Sequence, residues 1–352
     1  MTSLRGGRAG GSSPHRKRVA TLADVAEIAG VSSSTASRAL NGRGELADST
    51  RAAVLEAAAQ LDFRPSALAR SLRTRTTFTV GFVVPDVASP FYAAALKGAQ
   101  GALEEAGYRV MLMDSEQQAA GEIAALRTLL DHQVDGLLVA TTGLSPKRFD
   151  EVTGGSGTPC VFFDSIIRRA GAGSVGLDND PGMRLLVDHL VEHGHERIAI
   201  LAGSLAETSG IERLRAFRKA MRRRGLAPRA EYERRCRWSV ESATLATHEL
   251  LELSAPPTAV VASSAELALG CLAACRERGL SLPGDLALAG FDDPYFGDLL
   301  EPPLTAVGYD PREVGRAAAS LLVEAMRDGD RPYETVTVPV ELVRRRSCGC
   351  PG

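Results

Sequence analysis

Residues 21–42 read TLADVAEIAGVSSSTASRALNG, and the second half of that stretch decides the fold. Up to Ala29 the residues are helix formers carrying an apolar stripe, and Gly30-Val31 breaks the pattern with a turn. A second helix is expected over 33–40, opening on Ser32, Ser33, Ser34 and Thr35. These are mediocre helix formers. One hydroxyl caps a helix, but four in succession weaken it unless that end faces a partner. A helix N-terminus carries unpaired N–H groups and the positive end of the helix dipole, so hydroxyls there bind phosphate oxygens alongside the backbone. Ser33 and Ser34 are small enough to touch base edges, and Arg38, one turn on, reaches a guanine bidentately. Thr21 and Asp24 make a capping-box start for the first helix. A third helix is expected over 48–61, with Val54, Leu55, Ala58 and Leu61 on one face. The three together read as a helix-turn-helix unit whose second helix enters a major groove.

The charge distribution agrees. The formal net charge of −2 averages a basic head and an acidic body. Residues 1–75 hold 12 Lys/Arg against 6 Asp/Glu, and the remainder 29 against 37. A basic head on an acidic body assigns the polyanion to the head. Residues 1–18 are expected to be a disordered basic tail, whereas Arg38, Arg43, Arg51, Arg64, Arg70, Arg73 and Arg75 lie beyond it. The six cysteines include only one close pair, Cys348-Gly-Cys350, with no CxxC knuckle, and are read as reduced thiols. No apolar run approaches the ~20 residues of a membrane span, so a cytoplasmic location is expected.

After Pro65 a two-turn helix, SALARSL, precedes a polar linker ending at Thr77. From Phe78 onward short apolar strands alternate with amphipathic helices. Strands are expected at 78–85, 108–114, 135–140, 159–164, 197–203, 259–264, 286–293 and 304–309. Helices are expected at 91–106, 120–132, 181–194, 210–225, 241–253, 265–279 and 312–328. This is the pattern of parallel α/β sheets, and the strand number suits two of them. Ligands in such folds bind at the carboxyl ends of strands. Asp86, Phe91, Asp164, Ser264, Asp292 and Tyr309 fall at or near those ends.

The opening stretch closely resembles the headpiece of the LacI/GalR (lactose-repressor/galactose-repressor) family of bacterial transcriptional regulators. The resemblance continues through ADSTRAAVLEAAAQLDFRPSALARSLRT, VGFVVPDVASPFYAAALKGA, HGHERIAILAG, LALAGFDD and PPLTAVGYDPREVG, covering about residues 19–347. It implies a helix-turn-helix headpiece over 19–64, a hinge helix and linker over 65–77, and an effector-binding and dimerisation body over 78–352. The body would resemble periplasmic binding proteins, with two doubly wound parallel-sheet subdomains joined by three crossovers: about 78–176 with 309–332, and 177–308 with 333–347. By position, Ser33, Ser34 and Arg38 match base-reading residues, and Thr21, Ser32, Thr35, Ser37 and Asn41 match backbone-positioning ones. Arg51 is expected on phosphate. Ala69, Arg70 and Leu72 fall in the hinge helix, Leu72 at the place of the leucine that wedges into the minor groove, where an inserted apolar side chain kinks DNA.

Three departures bear on function. Ala47 stands where the family's third helix commonly has a capping serine. The family's sugar-binding arginine falls by register on Ile211, although Arg213 and Arg215 are close enough that a slip of a residue or two would bring one of them in. The family's Asn-Asp pair falls on Ser264 and Ala265. Fewer donors and acceptors in the cleft imply weak binding of simple hexoses, and either a less polar effector or none, with control passing to a protein partner.

The expected function is therefore a homodimeric, or tetrameric, DNA-binding regulator acting on a pseudo-palindromic operator under a small-molecule effector, with no cofactor, metal or membrane. The rival class is an enzyme on a doubly wound fold. The chain has PDVASPF after its first strand, where a nicotinamide enzyme needs GxGxxG, and it has no GxSxG and no Walker loop. His189, His193 and His195 have no obvious partner, and because His193 and His195 cannot share a helix face no metal triad is expected.

Overall fold

The computed structural model describes residues 20–40, 45–63, 76–168, 171–328 and 334–350. The chain divides into two compact units, 1–77 and 78–352.

In the first unit α1 (Leu22–Ile28), α2 (Ser33–Leu40) and α3 (Asp48–Gln60) surround a small core of Val25, Ala26, Ala36, Ala39, Val54, Ala57 and Ala58. Thr21 and Asp24 close a reciprocal capping box, with Asp24 N–H on Thr21 Oγ1 at 3.3 Å and Thr21 N–H on Asp24 Oδ2 at 2.7 Å. Gly30 takes φ +65°, which lets the chain leave α1 and Val31 N–H return to the Ala26 carbonyl. Ala47 precedes α3 with no side-chain cap, as its methyl dictates. Leu55, expected on the buried face, is 50% exposed. The buried stripe runs through Val54, Ala57 and Ala58, at i, i+3 and i+4, which turns Leu55 outward.

The second unit holds two six-stranded sheets. The first lobe is built from β1 (Thr79–Val84), α4 (Pro90–Glu105), β2 (Arg109–Asp114), α5 (Ala119–Asp131), β3 (Gly136–Val139), α6 (Pro146–Thr153), β4 (Cys160–Phe163) and β5 (Gly173–Leu177). The second contains α7 (Asn179–Glu192), β6 (Ile198–Ala202), α8 (Thr208–Arg223), β7 (Glu233–Arg235), α9 (Val240–Leu251), β8 (Ala259–Ala262), α10 (Ala265–Glu277), β9 (Ala287–Phe291) and β10 (Thr305–Gly308). The chain then returns to the first lobe as α11 (Pro311–Arg327) and β11 (Thr335–Val338), and crosses back as β12 (Glu341–Val343). The strand orders are β11-β5-β4-β3-β1-β2 and β12-β10-β9-β8-β6-β7, parallel throughout except for the β10–β12 pair.

Both faces of each sheet's centre are covered, so the inner strands β1, β3, β4, β6, β8 and β9 are buried and almost wholly apolar, and successive side chains enter different layers. Val80, Phe82 and Val84 of β1 pack on one side, and Val83 on the other. Helices α4 and α11 touch backbone to backbone on the first lobe. A Cβ on Gly98 would lie 1.9 Å from the Arg312 carbonyl oxygen, and one on Gly315 1.8 Å from that of Ala95. The third passage between lobes falls after Val338 rather than before residue 333. The expected placement of 333–347 wholly in the second lobe is corrected by β11, which pairs in register with β5 from Ser174 to Leu177.

Candidate nucleic-acid interface and ligand cleft

At the start of α2, Ser32 Oγ accepts from the Thr35 N–H at 3.2 Å and lies 2.8 Å from Ser34 Oγ and 2.9 Å from Thr35 Oγ1. One hydroxyl therefore caps the helix and holds two others in a cluster. Ser32, Ser33, Ser34 and Arg38 are exposed, while Thr35 and Ser37 are half-buried beside Ala36 and Ala39. This first turn offers hydroxyls, helix N–H groups and, one turn on, a guanidinium to an outside partner. Arg51 lies in the first turn of α3, half-buried. Asn41, Ala69, Arg70 and Leu72 lie outside the described residues, as do the basic tail and nearly all of the hinge segment.

In the body, a cavity of about 300 Å3 opens between the lobes. It is lined from the carboxyl ends of strands in both sheets, as a parallel sheet requires. Asp86, Phe91, Asp164, Ser264, Asp292 and Tyr309, all expected from the sequence, line it. So do Tyr92, Gln117, Glu207, Trp238 and Glu266, which no strand-end pattern in the sequence marks, and Arg213, the alternative register to Ile211.

Ile211 does not line the cavity. It is 47% exposed, whereas Arg213 is 3% exposed and faces inward. Residues two apart on an α-helix point some 200° apart, so Ile211 and Arg213 occupy opposite sides of α8. The expectation of a cleft without a guanidinium is thereby overturned, and with it the ground for a less polar effector.

Arg213 is the hub of the second lobe's wall. Its Nε donates to Asn179 Oδ1 at 3.0 Å, and its Nη1 donates to the Ser263 carbonyl at 2.6 Å and to Asp292 Oδ2 at 3.3 Å. The guanidinium sits 3.9 Å from the centre of the Phe291 ring. Burial opposes its charge, but Asp292, Tyr309 and Asp164 around it prevail and hold its pKa above the usual value. Tyr309 Oη donates to the other oxygen of Asp292 at 2.7 Å. Asp292 adopts φ +69° and Asp164 φ +59°, left-handed conformations that turn both carboxylates at their strand ends.

On the first lobe, Tyr92 Oη donates to Asp164 Oδ2 at 2.8 Å. Burial lifts the Asp164 carboxyl to about 6 despite Arg213 and Tyr92, which pull it down. Glu207 is lifted further, to about 8, by burial and by the Asp164 charge, although Trp238 Nε1 donates to it at 2.9 Å. The Trp238 ring needs a glycine beneath it. A Cβ on Gly203, at the end of β6, would stand 1.9 Å from the ring. Two hydrogen bonds join the lobes across the cavity: Ser89 Oγ to Glu266 Oε1 at 3.1 Å, and Gln117 Nε2 to the Trp238 carbonyl at 3.4 Å. Ser264 caps α10 by accepting from the Leu267 N–H. Glu266, two residues after Ser264, adds a carboxylate to this part of the wall.

The lining carboxylates of the cleft are tied to hydroxyl, indole, amide or guanidinium donors. Residues 21–66 match the family of bacterial regulatory proteins, lacI family, and residues 187–348 match the periplasmic binding protein-like domain. Catabolite control protein A of Priestia megaterium is 31% identical over 93% of this chain and 98% of its own length. The HTH-type transcriptional repressor PurR of Actinobacillus pleuropneumoniae serotype 3 (strain JL03) is 32% identical over 94% and 98%. The chain belongs to the LacI family of bacterial transcriptional regulators. The lac repressor dimer bound to operator and the anti-inducer ONPF superposes with a TM-score of 0.84 at 28% identity, covering 94% of this chain and 99% of that one. The cellobiose complex of the transcriptional regulator CelR superposes with a TM-score of 0.72 at 29% identity, covering 93% and 99%. The LacI-family chain is thus a DNA-binding transcriptional repressor, in a family of regulators and not of enzymes. Among the described residues no helix is long and apolar enough to cross a membrane.

Proposed function

We propose that this LacI-family repressor acts as a homodimer on a pseudo-palindromic operator, and that a neutral or cationic polyhydroxylated molecule in the cleft sets its affinity for DNA. Ser33, Ser34 and Arg38 of each protomer read one half-site, and two-fold symmetry doubles the contact. Ser32 and Thr35 position the backbone. The observation that carries the ligand class is the charge of the cleft lining. Asp86, Asp164, Glu266 and Asp292 outnumber the guanidinium of Arg213 among the described lining residues, and Glu207, its carboxyl raised to about 8, adds a neutral hydrogen-bonding group at neutral pH rather than a charge. A phosphorylated or carboxylate ligand would face this excess of acid, whereas hydroxyl and amine donors would meet acceptors. Phe91 and Trp238 add apolar faces suited to the C–H surface of a sugar ring. The cellobiose held by the CelR relative is of this class. A ligand touching both walls favours one separation of the lobes over another, and only such differential binding can couple the cleft to DNA.

Calorimetry on the full chain with neutral mono- and disaccharides, amino sugars and their phosphorylated forms tests the reading. Micromolar binding of a neutral or amino saccharide, lost on Asp292→Asn, is the expected result. Preference for a phosphorylated member would overturn the ligand class. No binding by any member would move control to a protein partner.

A further inference from the structure

The last described residues of the chain place two thiols against two imidazoles. His189 and His193 stand one turn apart at the C-terminal end of α7, with ring centres 4.4 Å apart. His189 Nε2 lies 3.0 Å from Cys348 Sγ and 3.4 Å from Cys350 Sγ. His193 Nε2 lies 3.5 Å from Cys350 Sγ, and the two sulfurs are 3.4 Å apart. The expectation that these cysteines and histidines lack partners is overturned. In space they face one another.

Three features build this cluster. Gly349 adopts φ +95°, so the backbone reverses between the cysteines and both sulfurs point the same way. Ser347 anchors the segment, donating from Oγ to the Leu288 carbonyl at 2.7 Å and accepting from Thr305 N–H at 2.8 Å. His193 Nδ1 is 2.8 Å from the His189 carbonyl. A ring nitrogen facing a carbonyl must donate, which leaves Nε2 with its lone pair directed at Cys350.

We propose that His189, His193, Cys348 and Cys350 form a tetrahedral site for a thiophilic divalent cation of the zinc class. Two sulfurs and two imidazole nitrogens are the donor set of structural zinc, and oxygen-seeking magnesium or calcium has no ligand here. Metal bonds of about 2.3 Å to sulfur and 2.0–2.1 Å to nitrogen put tetrahedral ligand atoms roughly 3.3–3.8 Å apart. His189, His193 and Cys350 already lie within 4.8 Å of one another, and the short spacings of 3.0–3.5 Å need to widen by up to about half an ångström, whereas Cys348 lies farther than that from His193, so these two close on the ion as it binds. His189 and Cys348 are buried, Cys350 is half-buried and His193 is exposed, so the cation has an access route on the His193 side. Four protein ligands leave no open position, which makes the site structural. It fastens α7, the helix entered after the first passage between lobes, to the segment that follows the third. Thiolate ligation releases protons, so affinity falls as pH is lowered.

Cobalt(II) titration of the reduced full chain tests this. One equivalent per chain is expected to give thiolate-to-cobalt charge-transfer absorption and the visible bands of a tetrahedral ion, both bleached by zinc. Cys350→Ser should abolish the charge-transfer band attributable to Cys350 and weaken zinc binding at least tenfold. His193→Asn, an exposed position, should weaken it at least tenfold with the metal-free melting temperature unchanged. Cys236→Ser should leave it intact. Absence of the bands would overturn the proposal, and so would bands that survive both Cys350→Ser and His193→Asn. So would a reduced protein that binds neither metal yet loses two hydrogens in air, because the pair would then be a Cys348–Cys350 disulfide couple.

Discussion

Helix α2 and the cleft are two recognition surfaces assembled on opposite plans. The groups that α2 offers, Ser33, Ser34 and Arg38, are exposed, and the headpiece coheres through Ala36, Ala39, Val54 and their neighbours beneath them. In the cleft the group that most resembles a ligand clamp, Arg213, is buried and bound to Asn179, Ser263 and Asp292. Its contacts also hold α7, α8 and the ends of β8 and β9 together. Exposed polar groups cost little to remove, while buried charged ones leave unpaired partners behind. Recognition and stability are thus separable in the headpiece and fused in the cleft.

The largest effect should come from Arg213→Met. It leaves the Asp292 charge with only the Tyr309 hydroxyl and one side of Asn179 unpaired, and should destabilise the body by about 3–5 kcal/mol while abolishing ligand binding. Arg213→Lys should recover only part, since an ammonium cannot reproduce the fork. A thermal melt showing less than about 1 kcal/mol lost would break the contrast between the two surfaces.

Next in size is a pH effect. Glu207 is raised to about 8 and Asp164 to about 6 in the folded chain. Between the ordinary carboxylate range and those values the folded state holds more protons than the unfolded one, so stability falls as pH rises. Glu207→Gln should flatten the wild-type profile between about pH 5 and 8 by on the order of 2–4 kcal/mol. Identical denaturation profiles for the two proteins would show that the carboxyl titrates normally.

Arg38→Ala should cost ~1–3 kcal/mol of specific DNA binding and relax base preference at one position per half-site, with the melting temperature unchanged. Equal losses on specific and random DNA, read by fluorescence anisotropy, would reduce Arg38 to a phosphate contact. The smallest effect belongs to Ile211→Ala, within about 0.5 kcal/mol in stability and without change in ligand affinity. A measurable loss of ligand there would return Ile211 to the cleft wall.

What was legible in the sequence follows the same division. The headpiece motif is local: helix start, glycine turn and hydroxyl cluster lie within 22 residues, and 33–40 is helical as expected. The strands of the long apolar runs were legible for the same reason. Strands β5, β7 and β11 were not, being three to five residues long and rich in Gly, Arg or Thr, nor was β12, which is only Glu-Leu-Val. Missing β7 hid Trp238, which follows its end. Counting along the chain put Ile211 in the cleft. The buried face of α8 through Phe217 and Ala220 carries the better signal, because Arg213 falls within it and Ile211 lies nearly opposite. The His189/His193 spacing was visible in HLVEH, but its sulfur partners arrive from far along the chain, where local pattern has no reach.

The returning chain has a consequence for biosynthesis. The headpiece is contiguous and can fold as soon as it leaves the ribosome. The first lobe cannot, because its sheet ends on β11 and its face is covered by α11, both made after the whole second lobe except β12. At bacterial elongation rates the nascent first lobe waits on the order of ten seconds or more with the edge of β5 unpaired. An open strand edge invites pairing with another chain. A stalled or truncated product ending near residue 330 is therefore expected to present a DNA-binding head on a body with an unfilled sheet edge, the form most in need of a chaperone.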